Sequence, residues 1–101
     1  MESVNLTCHT DRTELTFEGV FDVGGVRRAY EALNEVLTRA LPVELNTERL
    51  ERVDAAALQL LVAFRQAARE RGLSFRWIGL SPTLGSSAES LGLNDVLELP
   101  A

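Results

Sequence analysis

The sequence has one cysteine, one histidine and three prolines among 101 residues, and each scarcity excludes a class of structure or site. Cys8 cannot form a disulfide within the chain, which is consistent with a reducing compartment. His9 has no companion at metal-ligand spacing, so no metal site and no cofactor are expected. Because 46% of the residues are apolar and prolines are few, disorder is disfavoured, and residues 1–101 are expected to form a single domain.

Basic clusters and long apolar runs are also missing. Ten basic and fifteen acidic residues give a formal net charge of −5, and no basic cluster stands beside interleaved aromatic residues, which disfavours direct binding of nucleic acid. No stretch is long and apolar enough to span a membrane, and no signal-peptide pattern begins the chain. We therefore expect a cytoplasmic protein without membrane insertion.

Sequence motifs of enzymes are absent as well. There is no Gly-x-Ser-x-Gly elbow, no phosphate-binding glycine loop and no Cys/His cluster. The carboxylates are scattered along the chain, as solvated charges usually are. A non-catalytic module is the predicted class.

Apolar periodicity predicts the first half of the fold. Segments 4–8 and 13–17 alternate apolar and polar residues, which indicates a β-hairpin. A helix is predicted after Asp22, because the next apolar residues follow the spacing of one helical face. These residues are Val26, Ala29, Tyr30, Leu33, Val36, Leu37 and Ala40. Segment 43–46 is interpreted as a buried strand, and segment 47–53 as a polar connection.

The second half alternates helices and strands. A helix from Asp54 to Gly72 has a central apolar line of Ala57, Leu61, Phe64 and Ala68. Segment 73–80 is the strongest strand signal, with Trp77 expected in the core. Ser81 and the following proline begin a third helix, and segment 93–99 is either a helical turn or a strand at 96–99. The order β-β-α-β-α-β-α predicts an α/β fold with a mixed sheet.

The start of the second helix is a candidate contact site. Asp54 is a suitable N-cap, because its carboxylate can accept hydrogen bonds from the free N–H groups of the first turn, and three alanines follow it. Such a helix start can hold an anion or a partner. Leu58 and Val62 lie off the central apolar line, so they either form an exposed docking patch or are covered by a neighbouring helix.

Three segments resemble the STAS domain of bacterial anti-sigma-factor antagonists. Segment 45–61, LNTERLERVDAAALQLL, resembles the family signature, in which a strand ending in Asp-Leu-Ser is followed by Asp-Ser-Ser-Gly-Leu at a helix start. Segment 17–22 (FEGVFD) is similar to the family's Gly-Glu-Leu-Asp turn, and segment 78–93 to its Ser-Pro helix start and Gly-Leu ending. The resemblance implies a STAS-like mixed sheet, with an opening β-hairpin and then parallel strands, covered by about three to four α-helices.

The chain departs from the family pattern where phosphorylation would occur. By that pattern Asp54 matches the signature aspartate, Ala55 the serine or threonine that a partner kinase phosphorylates, Ala56 the second hydroxyl residue and Ala57 the glycine. An alanine methyl cannot accept a phosphoryl group, so the family's switch by added negative charge is excluded at Ala55.

The resemblance implies a non-catalytic module for protein–protein interaction in bacterial signal transduction. Asn46 replaces the family's strand-end aspartate, and Asp22 is retained. The expected partner is an anti-sigma factor or a kinase-like regulatory protein. The predicted contact residues are Asp22, Asn46, Asp54, Ala55, Ala56, Ala57, Leu58 and Val62. One alternative is an accessory subunit that binds the cytoplasmic ATPase of a phospholipid ABC transporter, another is a chemotaxis-linked module, and a homodimer is left open.

Overall fold

A four-stranded mixed sheet forms the centre of the computed structural model, which describes residues 4–99. Strands β1 (Val4–Cys8) and β2 (Thr13–Phe21) pair antiparallel as the predicted hairpin. Strands β3 (Val43–Val53) and β4 (Phe75–Gly79) extend the sheet in parallel, in the order β1-β2-β3-β4. The predicted mixed sheet is confirmed.

Within residues 4–99, four α-helices cover this sheet. They are α1 (Val26–Arg39), α2 (Ala55–Glu70), α3 (Pro82–Ser90) and α4 (Asn94–Leu97). A 3₁₀ turn at Val23–Gly25 leads into α1. The predicted number of helices is confirmed, and the last element is the helical alternative, not the strand.

The core lies between the helices and the inner face of the sheet. Alternate residues of β2 and β3 face it, because successive side chains of a strand point to opposite faces. The buried strand residues include Leu15, Phe17, Phe21, Val43, Leu45 and Leu50, and the buried residues of α1 are Ala29, Leu33, Val36 and Leu37. Tyr30, which was expected on this apolar face, is 48% exposed.

Strand β3 is longer than predicted, and the interpretation of segment 47–53 as a polar connection is wrong. The register against β2 shifts twice, and in both places β3 has one residue more than β2. Such bulges interrupt the alternation of a strand. The residues of this half that face the core are therefore Thr47, Leu50 and Val53, which are three positions apart. Because a strand is recognised in a sequence by apolar residues at every second position, this half of β3 does not have the pattern of a strand.

The last strand and helix contact each other through Trp77. The Trp77 side chain was expected in the core, and it is half-buried against the core. Its indole N–H donates to the carbonyl oxygen of Leu97 over 3.0 Å. This bond fastens α4 to β4. Ile78, on the opposite face of β4, is exposed.

Candidate functional site

The carboxylate of Asp54 joins two elements at one edge of the sheet. Its Oδ1 accepts a hydrogen bond from the backbone N–H of Ala57 over 2.9 Å, which caps α2 as predicted. Its Oδ2 accepts from the backbone N–H of Val23 over 2.9 Å. One side chain therefore fixes both the start of α2 and the 3₁₀ turn before α1.

Asp22 lies beside Asp54 and stabilises the same 3₁₀ turn. Its Oδ1 accepts from the backbone N–H of Gly24 over 3.0 Å. The backbone N–H of Asp54 in turn donates to the carbonyl oxygen of Phe21 over 3.2 Å. The structure thus brings together two of the predicted site residues, and each carboxylate is a structural acceptor.

An exposed, mostly apolar surface surrounds these aspartates. We call it the helix-start surface and define it by Val20, Val23, Asp54, Ala55 and Ala56. Val23 is 70% exposed and Val20 is 49% exposed, and the other three are exposed as well. Neither alanine side chain carries a polar group, so the first turn of α2 presents only methyl groups.

A shallow groove of about 390 Å³ adjoins the helix-start surface. It is lined by Val20, Phe21, Asp22, Arg52, Val53 and Asp54. Arg52 stands opposite Val20 in the register of β2 and β3, on the outer face of the sheet. The groove therefore combines an apolar floor with one guanidinium and two carboxylates.

Sequence reasoning missed Val20 and Val23. The alternation that turns Phe17 and Phe21 inward places Val20 outward, so a signal for Val20 was present. The exposure of Val23 has no such signal, because its position depends on the bond to Asp54, 31 residues away in sequence.

Three of the predicted contact residues are buried. Ala57 is fully buried, Leu58 is 1% exposed and Val62 is 8% exposed. Helix α2 contacts α1 and α4 as well as the sheet, so more of its circumference is covered than one apolar line suggests. Of the two alternatives for Leu58 and Val62, the covered one holds, and these residues cannot line an exposed docking patch.

Asn46 is separated from the helix-start surface. Its Oδ1 accepts from the backbone N–H of Glu48 over 3.0 Å, and it lies against Gly79, where an added Cβ would collide with that oxygen. Because β3 continues to Val53, seven residues of strand lie between Asn46 and the approach to α2. The structure therefore does not bring Asn46 together with Asp22 and Asp54.

The charged network with perturbed pKa values lies elsewhere on the sheet. Glu44 accepts hydrogen bonds from the guanidinium groups of Arg76 and Arg12, and these bonds, led by that from Arg76, lower the pKa of Glu44. The same contact with Glu44 raises the pKa of Arg12. These side-chain bonds link β2, β3 and β4 near their amino-terminal ends, and they lie away from the helix-start surface.

Residues 4–99 contain no group of three or more His, Cys, Asp and Glu residues arranged to hold a metal ion. In the same part of the chain, each helix is too short or too polar to cross a membrane.

Comparison with known proteins identifies the fold. A family model described as "Mlab, STAS domain" matches residues 4–99. The crystal structure of an anti-sigma factor antagonist from Mycobacterium paratuberculosis is similar with a TM-score of 0.74 and 15% identity, over 91% of this chain and 79% of that one. The anti-sigma factor antagonist SpoIIAA in its unphosphorylated form is similar with a TM-score of 0.73 and 20% identity, over 91% of this chain and 83% of that one.

A longer protein contains a similar unit. The structure of a protein named Mglu is similar with a TM-score of 0.69 and 23% identity, over 79% of this chain, and the match spans only 20% of the Mglu chain. No curated protein matches the sequence significantly. At these identities the structural likeness shows the fold alone, and it confirms the STAS-like fold expected from the sequence.

Proposed function

The chain belongs to the STAS domain family, and we propose that it is a non-catalytic protein-interaction module of bacterial signal transduction. The proposed partner is a regulatory protein such as an anti-sigma factor or a kinase-like protein. The proposed contact surface is the helix-start surface, and the proposed location is the cytoplasm. Leu58 and Val62 contribute only by supporting α2 from within.

The observation that carries this proposal is the way in which Asp54 holds Val23 outward. The two carboxylate oxygens fix the 3₁₀ turn and the first turn of α2 relative to each other. The exposed valine side chains are therefore presented on a preorganised backbone, and little conformational entropy is lost when a partner covers them. The buried centre of an interface is more apolar than its rim, and the exposed valine side chains would occupy such a centre.

The methyl groups of Ala55 and Ala56 support binding without a phosphorylation switch. SpoIIAA has been solved in both an unphosphorylated and a phosphorylated form. A phosphoryl group adds about −1.5 to −2 units of charge at neutral pH, which would oppose contact of an apolar surface with a partner. Because Ala55 cannot take this group, the proposed module binds constitutively, and control passes to its abundance or to its partner.

The same observation favours a second candidate, an accessory subunit that binds the cytoplasmic ATPase of a phospholipid ABC transporter. A permanent subunit has no need of a residue whose modification releases its partner, and the methyl surface at Ala55 and Ala56 fits that requirement. A chemotaxis-linked module would use the same fold and surface, so fold alone does not distinguish these roles.

Affinity purification from the native host followed by mass spectrometry separates the candidates. An anti-sigma factor or a kinase-like protein among the recovered proteins is expected from the primary proposal. Recovery of a nucleotide-binding ATPase together with its permease would reject that proposal and support the transporter role.

The contact surface is tested with the recovered partner and two matched variants. Val23→Asp places a charge on the helix-start surface and leaves its backbone N–H to Asp54 in place, so we expect affinity to fall at least about tenfold. Leu91→Asp is the control, because Leu91 is also an exposed apolar residue and lies beyond α3. Equal affinities of the wild type and Val23→Asp would exclude the helix-start surface as the contact.

Charge at the position of the missing hydroxyl gives a second test. Ala55→Glu imitates the family's phosphorylated state, and Gln59→Glu adds the same charge to an exposed position one turn later. Binding should be lost with Ala55→Glu and retained with Gln59→Glu. If Ala55→Glu bound unaltered, the start of α2 would not contact the partner.

A further inference from the structure

Two arginines of strand β3 have no partner within the chain. All ten basic residues of the sequence are arginines. In the part of the chain that the structure describes, the guanidinium groups of Arg49 and Arg52 form no hydrogen bond or ion pair, whereas each of the other arginines interacts with another group, as Arg76 does with Glu44. The sequence has fifteen acidic residues, so carboxylates are not in short supply. The two free guanidinium groups are therefore a local feature of β3.

Both arginines lie on the outer face of the sheet, next to the helix-start surface. They are exposed, and in the register of β2 and β3 Arg49 stands opposite Glu18 and Arg52 opposite Val20. Arg52 also lines the groove that adjoins the helix-start surface. Arg52 and the exposed Val20 therefore place a positive charge and an apolar side chain side by side.

The two carboxylates of this groove are already engaged with the backbone. Asp54 accepts hydrogen bonds with both oxygens and Asp22 with one, and each donor is a backbone N–H of the first turn of α2 or of the 3₁₀ turn. Within residues 4–99 neither carboxylate forms an ion pair with Arg52. A guanidinium has five N–H donors, and those of Arg52 are all left for a partner.

Resting on the proposed function, which places the contact at the helix-start surface, we propose that the partner contributes a segment in which carboxylates are set among apolar side chains. An apolar side chain of that segment covers Val20 and Val23, and a carboxylate beside it pairs with Arg52. A second carboxylate pairs with Arg49 where the segment continues along β3. Arginine and carboxylate groups commonly join through two parallel hydrogen bonds, which adds geometric specificity to the contact.

The charge of the rest of the molecule selects this kind of segment over a polyanion. The formal net charge is −5, so nucleic acid, an anionic membrane or a protein that is acidic throughout would be repelled by most of the surface. Glu48 and Glu51 are exposed on β3 itself, which confines the positive potential to the neighbourhood of the two arginines. A few carboxylates among apolar side chains match both the arginines and the valines.

The proposed ion pairs act mainly on the association rate and on specificity. Complementary charges at the edge of an interface steer the encounter of two proteins, and this effect weakens as the ionic strength rises. A single exposed ion pair contributes little affinity. The apolar contact at Val20 and Val23 therefore supplies most of the affinity, and the arginines select which segment docks there.

A synthetic peptide in which leucine alternates with glutamate is a probe for this chemistry, and the same peptide with lysine in place of glutamate is its control. In NMR spectra of the full chain at low salt, the glutamate peptide should shift the Nε–Hε signals of Arg49 and Arg52 and the methyl signals of Val20 and Val23. The lysine peptide should leave both arginine signals unchanged. Unchanged arginine signals with the glutamate peptide would overturn the proposal.

Inorganic phosphate is a further arm of the same titration. It carries negative charge without an apolar side chain, so it should shift the two arginine signals less than the peptide does and should leave the valine methyl signals in place. Arginine shifts as large as those caused by the glutamate peptide would reduce the site to one for simple anions and would reject the proposed segment.

Neutralisation of Arg52 measures the contribution of its charge. Arg52→Gln should weaken binding of the glutamate peptide about threefold at low salt and should make binding less dependent on salt. Arg39→Gln is the matched control, because it removes the same charge from the far end of α1, roughly 20 Å from the start of that helix. Equal affinities and salt dependences of the wild type and Arg52→Gln would contradict the pairing.

Val23→Ser separates failure of this inference from failure of the proposed contact surface, because it removes an apolar side chain without changing the charge. Weaker binding in both Val23→Ser and Arg52→Gln is the expected result. Weaker binding in Val23→Ser alone would keep the helix-start surface and reject the carboxylate. Weaker binding in Arg52→Gln alone would reject the helix-start surface as the contact, and with it the apolar half of the proposed segment.

Discussion

The two oxygens of Asp54 have separable contributions to stability that substitution can measure. Replacing an acidic N-cap with alanine costs about 0.5–2 kcal/mol, and the bond from Oδ1 to the N–H of Ala57 is such a cap. The bond from Oδ2 to the N–H of Val23 is exposed, so its loss adds about 0.5–1.5 kcal/mol. Asp54→Ala should therefore reduce the free energy of unfolding by about 1–3.5 kcal/mol.

Asparagine at position 54 separates the stability contributions of the two hydrogen bonds. Its single side-chain oxygen can still cap α2, but its amide nitrogen cannot accept the N–H of Val23. Asp54→Asn should thus lose only the second contribution, about 0.5–1.5 kcal/mol. Glu51→Gln, at an exposed position on β3, removes a carboxylate without removing a cap and serves as the control.

Urea denaturation followed by circular dichroism gives the required free energies, provided that the slopes of the transitions agree. The expected order of stability is wild type, then Asp54→Asn, then Asp54→Ala, with Glu51→Gln near the wild type. Equal losses for the two Asp54 variants would refute the assignment of separate roles to the two oxygens. No loss in either would show that Asp54 does not hold the helix-start surface together.

Three further changes test other parts of the structure. Glu44→Gln removes the carboxylate that accepts hydrogen bonds from Arg76 and Arg12. The folded-state pKa of Glu44 is lowered, so the carboxylate stabilises the fold at neutral pH, and this stabilisation is lost as the pH falls through the folded-state pKa. The stability difference between the wild type and Glu44→Gln should therefore shrink on acidification, and a constant difference would contradict the ion pairs. Gly79→Ala should destabilise the fold by about 1–3 kcal/mol, since its Cβ would collide with Asn46 Oδ1, whereas a neutral effect in thermal melts would show that the Asn46 side chain moves aside. Leu58→Asp buries a charge in the core and should abolish cooperative unfolding, and a folded variant would mean that Leu58 is exposed after all.

Local signals in the sequence predict most element types correctly. The hairpin follows from period-two alternation, α1 from the spacing of its apolar face, and α3 from Ser81, whose hydroxyl accepts from the N–H of Leu84 over 3.1 Å. The N-cap role of Asp54 is predicted as that of Ser81 is, because its side-chain oxygen can accept from a backbone N–H of the first helical turn. Each of these features is set by residues no more than a few positions apart.

The features that the sequence did not predict are decided by distant parts of the chain. The second half of β3 pairs with β2 through two bulges, so its inward residues lose the period that identifies a strand. The burial of Leu58 depends on how α2 meets α1 and α4, and a helical wheel contains no information on this. The exposed position of Val23 likewise depends on a carboxylate that the fold brings close.

The bonds of Asp54 also explain why the side chains of the two alanines that follow it do not affect this surface's backbone. Both donors that the carboxylate accepts from are backbone N–H groups, those of Ala57 and Val23. The side chains at positions 55 and 56 take no part in these bonds, so exchanging hydroxyl residues for alanine leaves the frame intact. Alanine also has the highest helix propensity, and the first turn of α2 is therefore not weakened by the exchange. The frame that presents the surface is thus independent of the side chain at position 55, and Ala55→Ser should introduce a hydroxyl group without changing the backbone around Asp54.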